Sequence, residues 1–181
     1  MVLFLILFMW PIIIPTINLI ENVRTNGNKS KIKQNIACMV CIIVTTVSWI
    51  LNLGWNRIML FMFGMPATYA LVFILVNDFA ASYSSKAPRL KVYTVLSYIT
   101  YLFSFLLFPD CGDYPPAYVF FGLIGDVNAV RLAGRLCIEF FIINIIISSV
   151  QLIACLRIRR KIKVAPKEQK SDNENNFTVV K

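Results

Sequence analysis

The chain has 181 residues, of which 58% are hydrophobic, and a formal net charge of +9. Soluble domains contain about 45–50% apolar residues, so the long apolar runs of this chain indicate an integral membrane protein with a single helical bundle. Histidine is absent, which removes the commonest general base and metal ligand. We therefore expect a protein that is not an enzyme and that binds neither a cofactor nor a metal.

A membrane-spanning helix needs about 20 mostly apolar residues, and five segments of the chain fit this requirement. They are residues 3–20, 35–54, 57–78, 91–108 and 133–156. The first contains Pro11 and Pro15, which remove helix hydrogen bonds, so four spans with an interfacial first segment are the alternative. The predicted fold is an all-α, polytopic membrane bundle over residues 1–156, followed by a basic and largely disordered tail over residues 157–181.

The basic residues predict the orientation of the bundle. Of the 18 bases, 15 lie in the first loop, in the third loop or in the tail, which share one side if every segment spans. Only Arg57, Arg131 and Arg135 fall on the other side. Loops rich in lysine and arginine stay in the cytoplasm. We therefore predict a cytoplasmic C-terminus and an extracytoplasmic loop at residues 109–131.

Small polar residues recur every three or four positions in three of the segments, which places them on one face of each helix. In lipid, helices associate through small residues and interhelical hydrogen bonds. These faces either pack within one monomer or meet another copy of the chain. The candidates for an oligomer interface are Cys38, Thr45, Ser48, Asn144, Ser148 and Gln151. Asn144 and Gln151 are the most informative, because an unpaired amide in lipid is costly.

The predicted extracytoplasmic loop contains "FPDCGDYPPAYVFFGLIGD", residues 108–126, with three acids and no base. It is interpreted either as a lid that lies along the membrane or as a receptor surface. The candidate sensing residues are Asp110, Asp113, Tyr114, Tyr118, Phe120, Phe121 and Asp126. Cys111 and Cys137 both fall toward the predicted oxidising side, so we hypothesise a disulfide between them.

The tail begins with the basic stretch "RIRRKIK" and ends with the β-prone peptide "NNFTVV". The bases can hold the tail to anionic lipid or attract an acidic cytosolic protein, and the terminal peptide can add to a partner's sheet edge. The candidate partner-binding residues are Arg157, Arg159, Arg160, Lys161, Lys163, Phe177 and Val179. The positive charge is explained by the lipid bilayer, so we expect no direct contact with nucleic acid.

The size, the few spans, the loop "DCGDYPPAYVFFGLIGD" and the basic tail after "CLRIRR" resemble the KwaA family, the membrane subunits of the bacterial Kiwa anti-phage defence system. The resemblance implies a homo-oligomeric sensor in the bacterial inner membrane, with a tetramer expected from the family. It also implies a cytosolic, DNA-binding effector subunit similar to KwaB. By position, the loop would sense, and the tail and basic loops would dock the effector.

Three functions remain open on the sequence. The first is a sensor and scaffold that relays an envelope cue to a cytosolic effector. The second is an immunity-type membrane protein that neutralises a bacteriocin in the bilayer. The third is a small channel or transporter, for which the polar faces are less suited because serine, threonine and cysteine favour helix packing.

Overall fold

A computed structural model of the chain describes residues 29–84, 87–110 and 117–177, preceded by residues 13, 16, 17, 20 and 21. Within these three ranges, side chains are described between Lys31 and Ile162. The predicted first span, residues 3–20, lies mostly outside the described residues. Its crossing of the membrane, and with it the number of spans, stays a prediction.

The described residues form five helices, which confirms the all-α prediction for this part of the chain. They are α1 (Lys29–Leu51), α2 (Trp55–Met62), α3 (Met65–Tyr83), α4 (Arg89–Leu106) and α5 (Val127–Phe177). Three helical stretches are long and apolar enough to cross a membrane, namely Lys31–Leu51, Met65–Tyr83 and Val127–Ile162. α4 matches the predicted segment 91–108 but is not one of these three, because two bases in its first turn and its serine, threonine and tyrosine residues lower its hydropathy.

The predicted span 57–78 is divided into two helices, α2 and α3. Gly64 lies between them with a φ of 68°, in the left-handed region that glycine adopts without strain. Pro66 then lies in the first turn of α3, where its missing N–H costs no helix hydrogen bond. With eight residues, α2 is too short to cross a membrane.

α5 has 51 residues and is about 75 Å long, more than twice the thickness of a bilayer's hydrocarbon core. We predicted a disordered tail from residue 157, but the helix continues past this position and ends at Phe177. The apolar part of α5 already provides the helix nucleus, and arginine and lysine are good helix formers that extend it. The predicted domain boundary is therefore a change from an apolar to a basic surface within one helix.

The bundle buries polar side chains together with an apolar core, whereas its outer surface is largely apolar. In α1, Thr45 and Ser48 are buried, whereas Val40, Val47 and Ile50 on other faces are exposed. The same arrangement recurs in the other long helices, whose buried polar side chains are Asn77, Thr94, Ser97, Thr100, Ser104, Asn144, Ser148 and Gln151. Lipid offers no hydrogen bonds, so this arrangement suits a bundle surrounded by acyl chains.

Two amides join α5 to α3 and α4. Nδ2 of Asn144 donates to the carbonyl oxygen of Ser97 and to Oγ1 of Thr100, both at 2.8 Å. Its Oδ1 accepts a hydrogen bond from the hydroxyl of Tyr69 at 2.6 Å. Gln151 lies two turns further along α5, where its Nε2 donates to Thr94 at 3.0 Å and to Asn77 at 3.2 Å. Both amides therefore have partners within one copy of the chain.

These contacts correct the assignment of six residues to an oligomer interface. Cys38, Thr45, Ser48, Asn144, Ser148 and Gln151 are all buried within a single chain. Of the two alternatives left open by the sequence, packing inside the monomer is the one that the structure supports for these side chains. Self-association of the chain stays a prediction, without these residues as its interface.

We predict that Asn144→Leu destabilises the monomer. The substitution removes three hydrogen bonds and leaves the Tyr69 hydroxyl and the Ser97 carbonyl without this partner. Intramembrane hydrogen bonds contribute about 0.6 kcal/mol on average and at most about 1.7 kcal/mol, so we expect a loss of about 1–3 kcal/mol in the free energy of unfolding in detergent. Ile146→Leu, at an exposed site of the same helix, is the control. Equal stability of the two variants would contradict the assignment.

Candidate functional site: the junction of the loop with the bundle

A buried ion pair lies where α1 and α4 end and α2 begins, an end of the bundle that we call the junction. Arg57 and Asp110 are 53 positions apart in the chain, yet Nε of Arg57 lies 3.9 Å from Oδ2 of Asp110. Both side chains are fully buried. At this distance the contact is an ion pair and not a hydrogen bond, and each partner is held by further contacts.

Asp110 caps the N-terminus of α2 from a distant part of the chain. Its carboxylate accepts hydrogen bonds from the backbone N–H groups of Gly54, Asn56 and Arg57, at 2.9 to 3.0 Å. The residue at the N-cap position itself, Gly54, has no side chain for this purpose. A helix N-terminus presents unpaired N–H groups and a partial positive charge, and a carboxylate satisfies both.

Arg57 holds the C-terminal ends of two other helices. Its Nη1 donates to the carbonyl of Ser48 in the last turn of α1 at 2.6 Å. Its Nη2 donates to the carbonyl of Phe108 at 2.9 Å and to that of Phe105 in the last turn of α4 at 3.5 Å. Cations at helix C-termini are favourable because the last carbonyls carry a partial negative charge. One guanidinium therefore fastens α1 and α4 together.

Aromatic rings complete the enclosure of Arg57. Its Cζ lies 5.2 Å from the ring centre of Trp49 and 5.8 Å from that of Phe108. These two rings stack on one another, with their centres 6.1 Å apart. Burial lowers the pKa of Arg57 to about 10, while the charge of Asp110 opposes this shift. The guanidinium therefore stays protonated at neutral pH and keeps all of its donors.

The described part of the loop, residues 117–126, folds back onto the junction. Tyr118 exchanges two backbone hydrogen bonds with Asp110, at 2.7 and 3.0 Å. The N–H of Phe120 donates to the carbonyl of Leu106 at 2.9 Å, and Nδ2 of Asn52 donates to the carbonyl of Tyr118 at 2.9 Å. The loop is thus attached to the ends of both α1 and α4, in the manner of a lid.

A tight turn at the tip of the loop stores backbone strain. Phe120 and Phe121 have φ angles of 52° and 63°, and Gly122 follows with 78°. Bulky residues in the left-handed region cost roughly 1–2 kcal/mol each, and such strain persists only where its surroundings impose it. A Cβ on Gly122 would lie 3.2 Å from the carbonyl oxygen of Leu51. The turn therefore presses against the end of α1.

The candidate sensing residues have different positions in the structure. Asp110 is buried and structural, which corrects its assignment to an exposed sensing surface. Phe120 and Phe121 are half-buried, whereas Tyr118 and Asp126 are exposed. Asp113 and Tyr114 lie outside the described residues. The exposed part of the candidate surface therefore consists of Tyr118 and Asp126, with Phe120 and Phe121 partly accessible beside them.

The predicted disulfide is not formed. Cys137 is a free, buried thiol whose Sγ donates to the carbonyl of Ser104 at 3.1 Å, and Cys111 lies outside the described residues. Cys137 is ten positions into α5, about 15 Å along the helix from its start, and it faces α4 instead of the loop. In the described part of the chain, His, Cys, Asp and Glu side chains form no group of three that could hold a metal.

The basic residues named as partner contacts lie on the far part of α5. Arg157, Arg159, Arg160 and Lys161 are exposed. The helix continues through Lys163, whose side chain is not among those described, and Phe177 is its last residue. Val179 lies outside the described residues.

Sequence reasoning missed Arg57 as a functional residue and counted it only as one of three bases on the opposite side. The available signal was a lone arginine within the apolar stretch "LGWNRIMLF". Such a residue inside a membrane protein needs a charged partner, and Asp110 is one of three acids at the same predicted end. The identity of the pair was not evident, because nothing in the sequence distinguishes Asp110 from Asp113 or Asp126.

Comparison with models of known protein families, with curated proteins and with solved structures finds no match for this chain. Its function therefore has to be argued from the geometry of the junction, the loop and α5.

We predict that the Arg57–Asp110 pair is essential for stability. Asp110→Ala leaves a buried guanidinium without its counter-ion, so we expect the free energy of unfolding to fall by about 3–5 kcal/mol. The double variant R57M/D110A should be more stable than the sum of the two single effects predicts, by at least about 1 kcal/mol. Lys31→Gln is the control, since it breaks the partly exposed pair with Asp78 and should cost less than about 1 kcal/mol. Strict additivity of the Arg57 and Asp110 effects would contradict the coupling.

We also predict that Gly122→Ala detaches the loop from α1. The added Cβ meets the Leu51 carbonyl and the backbone is strained, so hydrogen exchange of residues 117–124 should become faster, corresponding to a local loss of about 1–3 kcal/mol. Gly64→Ala is a matched control, because it has a similar φ but no atom within 4 Å of the added Cβ. If both variants accelerate exchange in the loop equally, the close approach of the turn to α1 is not what holds it.

Proposed function

We propose that this chain is an inner-membrane sensor and scaffold subunit of a bacterial anti-phage defence complex, which relays an envelope disturbance to a cytosolic effector. The observation that carries this proposal is the continuity of α5. One helix leads from the loop at the junction, through its apolar part, to a cluster of exposed bases.

α5 is connected directly to the loop. Oδ1 of Asp126, the residue before the helix, accepts hydrogen bonds from the N–H groups of Asn128 and Ala129 at 3.1 and 2.9 Å. This is the usual capping role of an aspartate at a helix N-terminus. Any displacement of the loop near Asp126 therefore also displaces the first turn of α5.

The part of α5 between Gly134 and Pro166 has the composition of a stiff rod. Residues 135–165 contain neither glycine nor proline, the residues at which helices usually bend. This stretch is about 45 Å long, which exceeds the hydrocarbon core of about 30 Å. Gly134 and Pro166 bound this stretch, so a shift or rotation at residue 135 reaches the bases at Arg157 to Lys163 without passing a glycine or proline.

The far end of α5 is suited to an acidic partner. The exposed bases from Arg157 to Lys161 raise the rate of encounter with a negatively charged surface, in a salt-sensitive way. Together with the bases of the first and third loops, they support a cytoplasmic location for this end. The resemblance to the Kiwa membrane subunits supports a KwaB-like effector as the partner and a homo-oligomer as the working form.

An immunity-type protein would use the same bundle differently. Its contact with a toxin would lie in the bilayer, so it would need neither the stiffness of α5 beyond the membrane nor the basic end. Changes confined to that part of α5 therefore distinguish the two functions.

We predict that Leu156→Pro abolishes protection, whereas Leu156→Ala retains it. Leu156 is partly exposed, so the loss of its side chain should matter little. Proline at this position removes a helix hydrogen bond and bends α5 between its apolar part and its basic end. The measurement is the plating efficiency of phage on bacteria that express the chain with its neighbouring genes. Equal protection by both variants, at equal membrane levels, would reject the relay through α5.

A second variant tests the predicted terminal contact. Truncation after Ala165 keeps the bases from Arg157 to Lys163 and removes the peptide that contains Phe177 and Val179. We expect it to insert in the membrane but to lose its cytosolic partner in mild detergent. If the partner is retained, docking depends on the bases and not on the terminal peptide. If protection is unchanged by both truncation and Leu156→Pro, an immunity-type function is favoured.

A further inference from the structure

We infer that the groove between α3 and α5 is a binding site for an anionic phospholipid, with one acyl chain in the groove and the phosphate at Arg131 and Arg135. The groove is a cavity of about 610 Å³. This volume lies within the range of about 300–1,000 Å³ that is usual for specific ligand sites.

The walls of the groove are apolar. The apolar side chains that line its two sides include Val72, Val76, Ile138, Phe141, Ile145 and Leu152. Five hydroxyl groups also lie in the lining. Those of Thr68, Tyr69, Ser104 and Ser149 are already hydrogen-bonded within the protein, and the fifth is that of Ser148. A water molecule needs two to four polar partners, so this lining favours hydrocarbon over water or a polar solute.

The shape of the groove fits an acyl chain. It is lined by α3 from Met65 to Val76 and by α5 from Cys137 to Leu152. These stretches are about 17 and 23 Å long at 1.5 Å per residue. One leaflet of a bilayer contributes about half of a 30 Å hydrocarbon core. The groove is therefore long enough to hold an extended acyl chain through a single leaflet.

Two arginines lie beyond the end of the groove that faces the start of α5. Arg131, Ile138, Ile145 and Leu152 follow each other at intervals of seven residues, or two helical turns, so they share one face of α5. Arg131 is thus about 10 Å beyond Ile138 along that face. Arg135 lies at the edge of the same face, one turn before Ile138. Both arginines are exposed.

Neither of these arginines has an acidic partner among the described residues. Of the three bases that depart from the positive-inside pattern, Arg57 is held by Asp110 and by helix carbonyls. The ion pairs found among the described residues are Lys31–Asp78 and Arg57–Asp110, so neither Arg131 nor Arg135 takes part in one. Glu139, one turn after Arg135, is exposed. Guanidinium groups bind phosphate oxygens in a bidentate way. A single anionic phospholipid would therefore have a partner for each of its parts: the groove for its acyl chain and the two arginines for its phosphate.

The test is native mass spectrometry of the full chain, purified in mild detergent and titrated with phosphatidylglycerol or phosphatidylcholine. We expect one retained lipid per chain, with phosphatidylglycerol preferred. Ile145→Trp fills the groove and should weaken retention of both lipids by at least about tenfold. Val72→Trp, on the opposite wall, should have the same effect. It provides the same test of the groove if Ile145→Trp does not fold. Ile146→Trp, at the next position but not in the lining, should change retention less than about twofold.

The headgroup contact is tested separately. R131Q/R135Q should reduce the preference for phosphatidylglycerol to near that for phosphatidylcholine and leave retention of phosphatidylcholine unchanged. R157Q/R159Q removes the same charge at the other end of α5 and should leave the preference intact. Equal retention of the two lipids by the unaltered chain would overturn the proposed preference for an anionic headgroup. If neither Ile145→Trp nor Val72→Trp reduces lipid retention, the groove is not the lipid-binding site. If these variants instead dissociate an oligomer of the chain, the groove is occupied by a second copy, which also overturns the proposal.

Discussion

The absence of hydrogen-bonding partners in lipid is the constraint on which the rest of this structure depends. A polar side chain in a membrane-embedded helix is costly unless it finds a partner inside the bundle. Asn144 and Gln151 do so by joining α5 to α3 and α4. The consequence is a bundle whose interior combines directional polar contacts with an apolar core, and whose outer surface is also apolar, where a soluble protein would have its charges.

The same constraint explains the junction. The ends of α1 and α4 leave carbonyl groups without helical partners, and the start of α2 leaves N–H groups. Arg57 donates hydrogen bonds to these carbonyl groups, and Asp110 accepts hydrogen bonds from these N–H groups. The two opposite charges also neutralise one another. Because Asp110 belongs to the segment that enters the loop, the loop cannot move freely at this point. Its attachment is part of the packing of the bundle, and strain at Phe120 and Phe121 is held in place by that attachment.

α5 brings the proposed relay and the proposed lipid site onto one element. It starts at the loop, forms one wall of the groove and carries the exposed bases from Arg157 to Lys161 beyond its apolar part. A lipid in the groove would pack between α3 and α5, so its presence would bias the position of the helix that connects the loop to the basic end. The two proposals remain separable, because the groove can be filled without changing either end of α5.

The sequence by itself determined the helical class, the membrane-spanning composition and the faces on which polar residues lie, since all three follow from the spacing of apolar and polar residues along the chain. It did not determine what those faces contact. Asn144 has the same helical spacing whether it meets α4 or another copy, and only the tertiary structure, which brings Ser97 and Thr100 to within 2.8 Å, decided between them. The Arg57–Asp110 pair and the turn that presses on Leu51 were likewise decided by tertiary structure. Periodicity is a property of one helix, whereas a buried ion pair depends on where distant segments meet, and that is set by the packing of the whole bundle.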